Sequence, residues 1–508
     1  MISKKALIFF LLASLAILHG CVQPFPQKNT WVLDTTPIVN TMKSIGTPTI
    51  TPTAQRTPFV IPTRELGKPM YSPTPDNPKI LPTLRSEEVI YTVQWNDALN
   101  LISRRYGVDM NSIIVTNQLA DPNLLEVGQI LVIPPPDPNN KAPAFKIVPD
   151  SELVFGPSGI GFDPHQFIYS HDGYLSSLDH SDEVVQQVAL DYSINPRILL
   201  SVLEYATGWV TGPNLIPDNS ATPQEPVKDA WESGLFSVLS RISESLNYGY
   251  YSWKENELSY YVLSDGSYVP ADETINAGTA SVQYWASTLY GKDKWLQAIS
   301  ENGIYRTYFN FFSFPFDYTY DPLVPEDLQQ PDLILPFQPG VAWSFTGGPH
   351  AGWDFGSAWA ALDFAPPGSP MGCVVSIDWA TAVADGLILR SDQGAVIQDL
   401  DGDGYEQTGW VILYMHMDYW ERVQAGKYVK AGDLIGHPSC EGGVSTGTHL
   451  HIARKFNGEW IRADGSSPFV MSGFVPKSNG LEYDGTLIGN GVFIEASEFF
   501  RLESLIYR

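Results

Sequence analysis

"STGTHLHIARK", residues 445–455, sets His449 and His451 on either side of one leucine. In an extended strand, residues i and i+2 face the same side, so both imidazoles would point into one site. One can hold a metal ion while its neighbour reaches water or substrate. Around this stretch, residues 336–480 carry short Val/Ile-rich runs separated by Gly, Pro and Asp, the pattern of a β domain. Five of the nine histidines fall between residues 350 and 451, namely His350, His416, His437, His449 and His451. Histidine scattered over a solvated surface does not concentrate in this way.

"WVILYMHMDYW", residues 410–420, places His416 in an apolar alternating strand, with Tyr414 and His416 on one face. A buried imidazole without a partner is costly, so His416 needs one. Upstream, "GGPHAGWDFGSAWAALDFAPPGSP", residues 347–370, holds His350 and two aspartates, each followed by Phe. Asp354 comes four residues after His350 and leads into the polar, loop-like "FGSAW". Asp363 sits in "WAALDFA", an apolar strand-like run ended by "PPG". A carboxylate in such a run must be paired or bound to metal, whereas Asp354 can stay solvated at no cost. Asp363 is the preferred ligand and Asp354 the alternative.

Zinc chemistry accounts for the set. A catalytic zinc takes three protein ligands and leaves one position for water. It lowers the pKa of that water to about 7 and polarises a scissile carbonyl. Nitrogen and oxygen donors suffice, and two further histidines can accept the water proton and stabilise the oxyanion.

In order, His350, "LDFAPPGSP", "AVADGLI", "YMHM", "VKAGDLIGHP" and "STGTHLHIA" resemble the motifs of the M23 (lysostaphin/LytM-type) peptidases over roughly residues 345–455. The resemblance implies a Zn²⁺-dependent endopeptidase that cuts peptide bonds in peptidoglycan. Carried over, His350, an aspartate and His451 are the metal ligands, and His416 and His449 are the catalytic histidines. The sequence departs from the family pattern twice. The Asp-Phe-Ala element begins at Asp363 rather than directly after His350, which requires an insertion between them. "GHPSCEGGVSTG" (436–447) is longer than the usual approach to the His-x-His strand and contains Cys440; His437 and Cys440 as additional ligands are the weaker reading.

The N-terminus reads as an export signal: Lys4 and Lys5 precede an apolar run from Ala6 to Leu18, too short for a membrane span. It ends Leu18-His19-Gly20-Cys21, which resembles a lipobox and makes Cys21 the lipidated residue of an extracytoplasmic, membrane-anchored lipoprotein. Of the three cysteines, Cys373 and Cys440 then remain, and an oxidising compartment permits a disulfide between them.

Residues 22–87 are rich in Thr and Pro and lack apolar periodicity, as in a spacer. Residues 88–136 run strand, helix, helix, strand. "YTVQWNDALNLISRRYGV" and "NLLEVGQILVIP" resemble the LysM module, with Asn96 in place of the usual Gly. That implies binding to N-acetylglucosamine polymers through the loops at Gln94–Ala98 and Leu119–Leu125. Residues 137–150 form a second Pro-rich joint. Residues 151–335 read mainly helical, with Asn195 as a cap and Pro196 in the first turn after it. "INPRILLSVLEYATGWV" weakly resembles the first helix of lytic transglycosylases. Ala206 occupies the place of the catalytic acid, and Glu204 lies elsewhere on the helix. Sugar cleavage needs a placed carboxylic acid, so this possibly degenerate lysozyme-like domain is read as inactive on sugars.

The 508 residues include 56 acidic and 30 basic side chains, a formal net charge of −26. Such a surface does not track a phosphate backbone, so no nucleic acid is expected. Within "DLDGDGYEQTGW" (399–410), Asp399, Asp401 and Asp403 match the start of a calcium loop, so structural Ca²⁺ is a candidate. Trp410 replaces the bidentate Glu, for which Glu406 is the substitute.

The expected chain is thus a multidomain α+β protein: a signal peptide (1–21), a spacer (22–87), a LysM module (88–136), a joint (137–150), a helical domain (151–335), an antiparallel β peptidase domain (336–480) and an extension (481–508). The expected function is a cell-surface peptidoglycan endopeptidase. The alternative is an inactive regulator that binds the wall and activates cell-wall amidases.

Overall fold

The computed structural model describes residues 78–82, 84–213, 229–231, 233–368 and 372–508. The export signal, the lipidation site Cys21 and most of the Thr/Pro-rich spacer lie outside these residues.

The LysM module pairs β1 (Val89–Thr92) with β2 (Ile130–Ile133) antiparallel around α1 (Leu99–Tyr106) and α2 (Met110–Asn117). Val93, Leu99, Ile102, Val108, Ile113, Leu131 and Ile133 form its core. Gly107 stops α1 with φ 63°, and Asn96, with φ 68°, adopts the left-handed conformation for which glycine is the usual choice.

The helical domain contains α3 (Asp150–Leu153), α4 (Pro164–Tyr169), α5 (Ser181–Tyr192), α6 (Pro196–Thr207) and α7 (Leu235–Lys254). The hairpin β3 (Tyr260–Val262) and β4 (Tyr268–Pro270) follows, then α8 (Ala277–Leu289), α9 (Lys292–Ala298) and α10 (Ile304–Phe312). Asn195 caps α6 by accepting from the Arg197 amide. Buried Arg197 forks onto Glu152 at 2.6 and 2.7 Å, and Tyr308 donates to the same carboxylate. The segment read as a joint, residues 137–150, joins this domain: Ala142, Ile147 and Val148 are buried in its core.

The C-terminal domain is built on β5 (Trp343–His350), β6 (Ala361–Ala365), β7 (Ala380–Thr381), β8 (Gly386–Asp392), β9 (Ala395–Asp399) and β10 (Trp410–Met415). It continues through β11 (Tyr428–Val429), β12 (Leu434–Gly436), β13 (Leu450–Phe456) and β14 (Glu459–Trp460) to β15 (Val475–Ser478), β16 (Gly485–Gly489), β17 (Val492–Glu495) and β18 (Leu505–Ile506). The main sheet runs β11-β8-β9-β10-β13-β6-β5-β18, all antiparallel, with β14 added to β13. Residues 481–508, read as an extension, are part of this domain, because β16 pairs with β15 and β18 pairs with β5.

Every residue of β10 is buried. Ile412 and Tyr414 join one core with Phe337, Phe364 and Ile452. Val411, Leu413 and Met415 face the other way and share a cluster with Tyr250, Tyr251 and Trp253 of α7. The helical domain therefore covers the second face of the sheet, which is why "WVILYM" is continuously apolar rather than alternating. Charges seal the same interface. Arg390 pairs with both Asp191 of α5 and Glu406, and Lys455 lies 3.3 Å from Glu406. Glu459 is engaged by Lys254 and Tyr250 of α7.

Candidate metal centre

Strand register assembles the centre. His451 on β13 stands directly opposite Asp363 on β6, so their side chains are neighbours on one face. On the other side of Asp363 is Gly347, where a Cβ would lie 2.7 Å from the Asp363 carboxylate, so glycine leaves the room that the carboxylate occupies. The β5–β6 register shifts between Gly347 and His350, and this irregularity brings His350 to the same place.

His350 Nε2 and His451 Nδ1 are 3.0 Å apart, and each is 3.2 Å from Asp363 Oδ1. The other ring nitrogens are committed. His350 Nδ1 lies 2.8 Å from the Gly348 carbonyl and His451 Nε2 lies 3.1 Å from the Gly352 carbonyl. Carbonyls only accept, so those nitrogens carry the protons and the facing nitrogens present lone pairs. Asp363 Oδ1 is buried and receives no hydrogen bond of acceptable geometry. Three buried acceptors facing one another make a cluster that could hold a cation. Zinc bonds of about 2.0–2.1 Å in a tetrahedron put ligand atoms roughly 3.3 Å apart, and the observed triangle fits.

The electrostatics agree. Burial pushes the Asp363 carboxyl up, but the surrounding imidazoles of His350, His449 and His451 outweigh burial and hold the carboxyl well below its usual range. Burial lowers His350, yet the Asp363 charge prevails and raises it. At His451 burial wins over Asp363, and its pKa falls.

His449 Nε2 is 3.7 Å from Asp363 Oδ2, and its Nδ1 lies 2.7 Å from the Gly447 carbonyl. The His416 ring is 4.5 Å from that of His449 and 6.2 Å from that of His451. His416 does not share a face with Tyr414, contrary to the strand expectation. β10 ends at Met415, and His416 adopts φ 66°, which turns its side chain to the cluster while Tyr414 bonds Gln398 in the opposite core. A left-handed non-glycine residue is strained, and strain of this kind concentrates at functional sites. Burial first, then the neighbouring imidazoles, lower His416 to about 3, so its ring is neutral.

Asp354 is elsewhere. Its carboxylate accepts from Tyr192 of α5 at 2.8 Å, and Phe355 stacks on Tyr248 of α7. The insertion between His350 and Asp363 thus docks on the helical domain. Neither His437 nor Cys440 joins the centre. His437 lies between the rings of Trp379 and Trp420, and Cys440 is bonded to Cys373. Asp399, Asp401 and Asp403 do converge, with oxygens within 4.8 Å of one another, but amides of their own loop already bond the carboxylates of all three. Glu406 does not join them, because Arg390 and Lys455 hold it. Glu204 accepts from the Val210 and Thr211 amides just beyond the end of α6, which places its carboxylate in a turn.

One residue escaped the sequence reading. Tyr483, from the β15–β16 connection, stacks on His350 with ring centroids 4.2 Å apart and has φ 66°. Burial and then the Asp363 charge push its hydroxyl up to about 12. No periodicity or motif marks it; only the fold brings it there.

Comparisons with known proteins follow the same division. Residues 91–134 match the family model for the LysM domain, residues 146–323 that for the LasA N-terminal domain, and residues 371–463 that for peptidase family M23. The protease LasA of Pseudomonas aeruginosa (strain UCBPP-PA14) is 24% identical over 340 residues, covering 63% of this chain and 75% of that protein. The beta-lytic metalloendopeptidase of Achromobacter lyticus is 28% identical over 160 residues, covering 30% of this chain and 40% of that protein. Among solved structures, the M23 metalloprotease pseudoalterin, from the deep sea, is 24% identical with a TM-score of 0.29, covering 35% of this chain and 99% of that one. A zinc-containing peptidase from Vibrio cholerae is 19% identical with a TM-score of 0.18, covering 28% of this chain and 39% of that one. Residues 371–463 are thus similar to peptidase family M23, and the stretches ahead of them are similar to a LysM domain and to the LasA N-terminal domain.

Proposed function

We propose that this chain is a zinc-dependent endopeptidase of the cell envelope that cuts stem or cross-bridge peptides of peptidoglycan while its LysM module holds the glycan. The observation that carries the reading is the buried triangle of unshared acceptors with two further imidazoles beside it. His350, Asp363 and His451 would hold the metal. A zinc ion there would polarise the scissile carbonyl and make water nucleophilic near neutral pH. His449, with Nδ1–H turned to Gly447, keeps Nε2 free to accept the water proton. His416, neutral and 3.3 Å from the Glu441 carbonyl through Nδ1, offers a second Nε2 for the same purpose. Once protonated, either ring can donate to the developing oxyanion or to the leaving amine. Export and lipidation at Cys21 would place the protein against its substrate.

The test uses the full chain. Metal content is measured, and release of soluble peptides from purified cell walls is followed with chelator and after zinc is restored. We expect one metal per chain and release that stops with chelator and returns with zinc. A chain that binds walls, holds no metal and releases nothing would sink the reading and favour the amidase-activating regulator.

A further inference from the structure

The LysM module rests on the β3–β4 hairpin of the helical domain. A Cβ at Gly107 would stand 3.1 Å from the Tyr268 hydroxyl, and one at Gly266 would stand 3.2 Å from the end of Met110. Beside this contact lies a cavity of about 650 Å³, walled by both domains and by the proline-rich segments flanking the module. Its size is that of a small-ligand site.

The chemistry of its lining opposes that of the chain. Arg85, Arg104, Arg105 and Lys141 line it against one carboxylate, Glu273, on a protein of net charge −26. Three of those cations are occupied. Arg85 donates to the Ile133 and Pro134 carbonyls, Arg105 is held by Tyr91 and Asp97, and Lys141 pairs with Asp272 and Glu273. Among the described residues, nothing engages the Arg104 guanidinium. The hairpin contributes Tyr260 and Tyr268 to the lining, their rings stacked 4.4 Å apart.

We infer that this junction cavity binds the carboxylate-bearing stem of a peptidoglycan fragment, with the carboxylate on Arg104 and the sugar or peptide body against Tyr260 and Tyr268. The guanidinium fork matches a carboxylate, and the tyrosines supply rigid contact area. The glycan loop Gln94–Ala98 leads into α1, whereas Arg104 and Gly107 stand at its C-terminal end. The eight residues of α1 separate the two sites by about 12 Å, so one extended strand can touch both. The inference rests on the envelope reading above.

Calorimetric titration of the full chain tests it, with two soluble fragments of the same glycan, one bearing its stem peptide and one stripped of it. The peptide-bearing fragment should bind more tightly. Arg104→Gln should weaken its binding roughly tenfold, on the scale of a lost charge-assisted hydrogen bond, and leave the stripped fragment unchanged. Arg104→Lys should fall between. Trp95→Ala, in the expected glycan loop, should weaken both fragments alike. Equal binding of the two fragments, or an Arg104→Gln variant that keeps the preference, would overturn the inference. So would Arg104-dependent binding of a phosphate-rich wall polymer in place of the stem. Wall hydrolysis, followed in parallel, separates the two readings. Lost preference with hydrolysis intact sinks only the cavity; intact preference without hydrolysis sinks only the peptidase.

Discussion

Asp363 and Asp354 show how little residue identity decides and how much position does. Both follow His350 closely and both precede Phe. Asp363 is held in the sheet opposite His451 and is 7% exposed, whereas Asp354 sits in a loop with φ 43° and bonds Tyr192. Asp363→Ala should lose metal, with affinity falling further than the roughly 10–100-fold that a lost supporting hydrogen bond costs. Asp354→Ala should keep metal and lose about 1–2 kcal/mol of stability with its hydrogen bond. Elemental analysis and denaturant unfolding read the two effects, and a metal-free Asp354→Ala protein would reverse the assignment. At the two histidines proposed as catalytic, His416→Ala and His449→Ala should each slow peptide release by about 10²–10⁴-fold while metal content stays at the wild-type level. Loss of metal with either would make that residue a ligand.

At the scale of elements, the centre depends on where strands end. His449, just before β13, and His451 within it both face the Asp363 carboxylate, as strand parity expects. Alternation along β10 failed for His416, because the strand stops one residue earlier and a left-handed backbone redirects the ring. The loop approaching β13 is braced by the Cys373–Cys440 disulfide, and Thr448 is bonded to Gly372 and Val374 of the facing segment. The two cysteines are 67 residues apart, so closing that loop in the unfolded chain is worth about 4 kcal/mol on the chain-entropy account. Cys373→Ser with Cys440→Ser should lower the unfolding free energy by about that amount. An unchanged denaturation midpoint would show that the bridge restrains nothing in the unfolded chain.

At the scale of the molecule, the helical domain acts as the second layer on the peptidase sheet. It covers the face that also carries the candidate centre, and it receives the insertion between His350 and Asp363. There Asp354 meets both Tyr192 and Glu244. Burial first, and then the Asp354 charge, raise Glu244 to about 7. A carboxyl raised by folding contributes stability that is fully present below its unfolded pKa, near pH 4, and is lost as pH rises through about 7. Thermal stability should therefore rise as pH is lowered from 8 to 5, and Glu244→Gln should flatten that slope. A slope unchanged in the variant would assign the titration to another group.

Much of the site was legible along the chain because it is written in local rules. Strand parity pairs the imidazoles of "HLH", an apolar frame forces a partner on Asp363, and cap and stop residues mark the helices. These depend on near neighbours and on the cost of burying polar groups. Which aspartate faces His451, which way His416 turns, what covers the outer face of β10 and which tyrosine reaches His350 depend on contacts between residues far apart in sequence. Only the tertiary structure decided those, because register, a left-handed turn and the docking of one domain on another are fixed by packing that no single segment encodes.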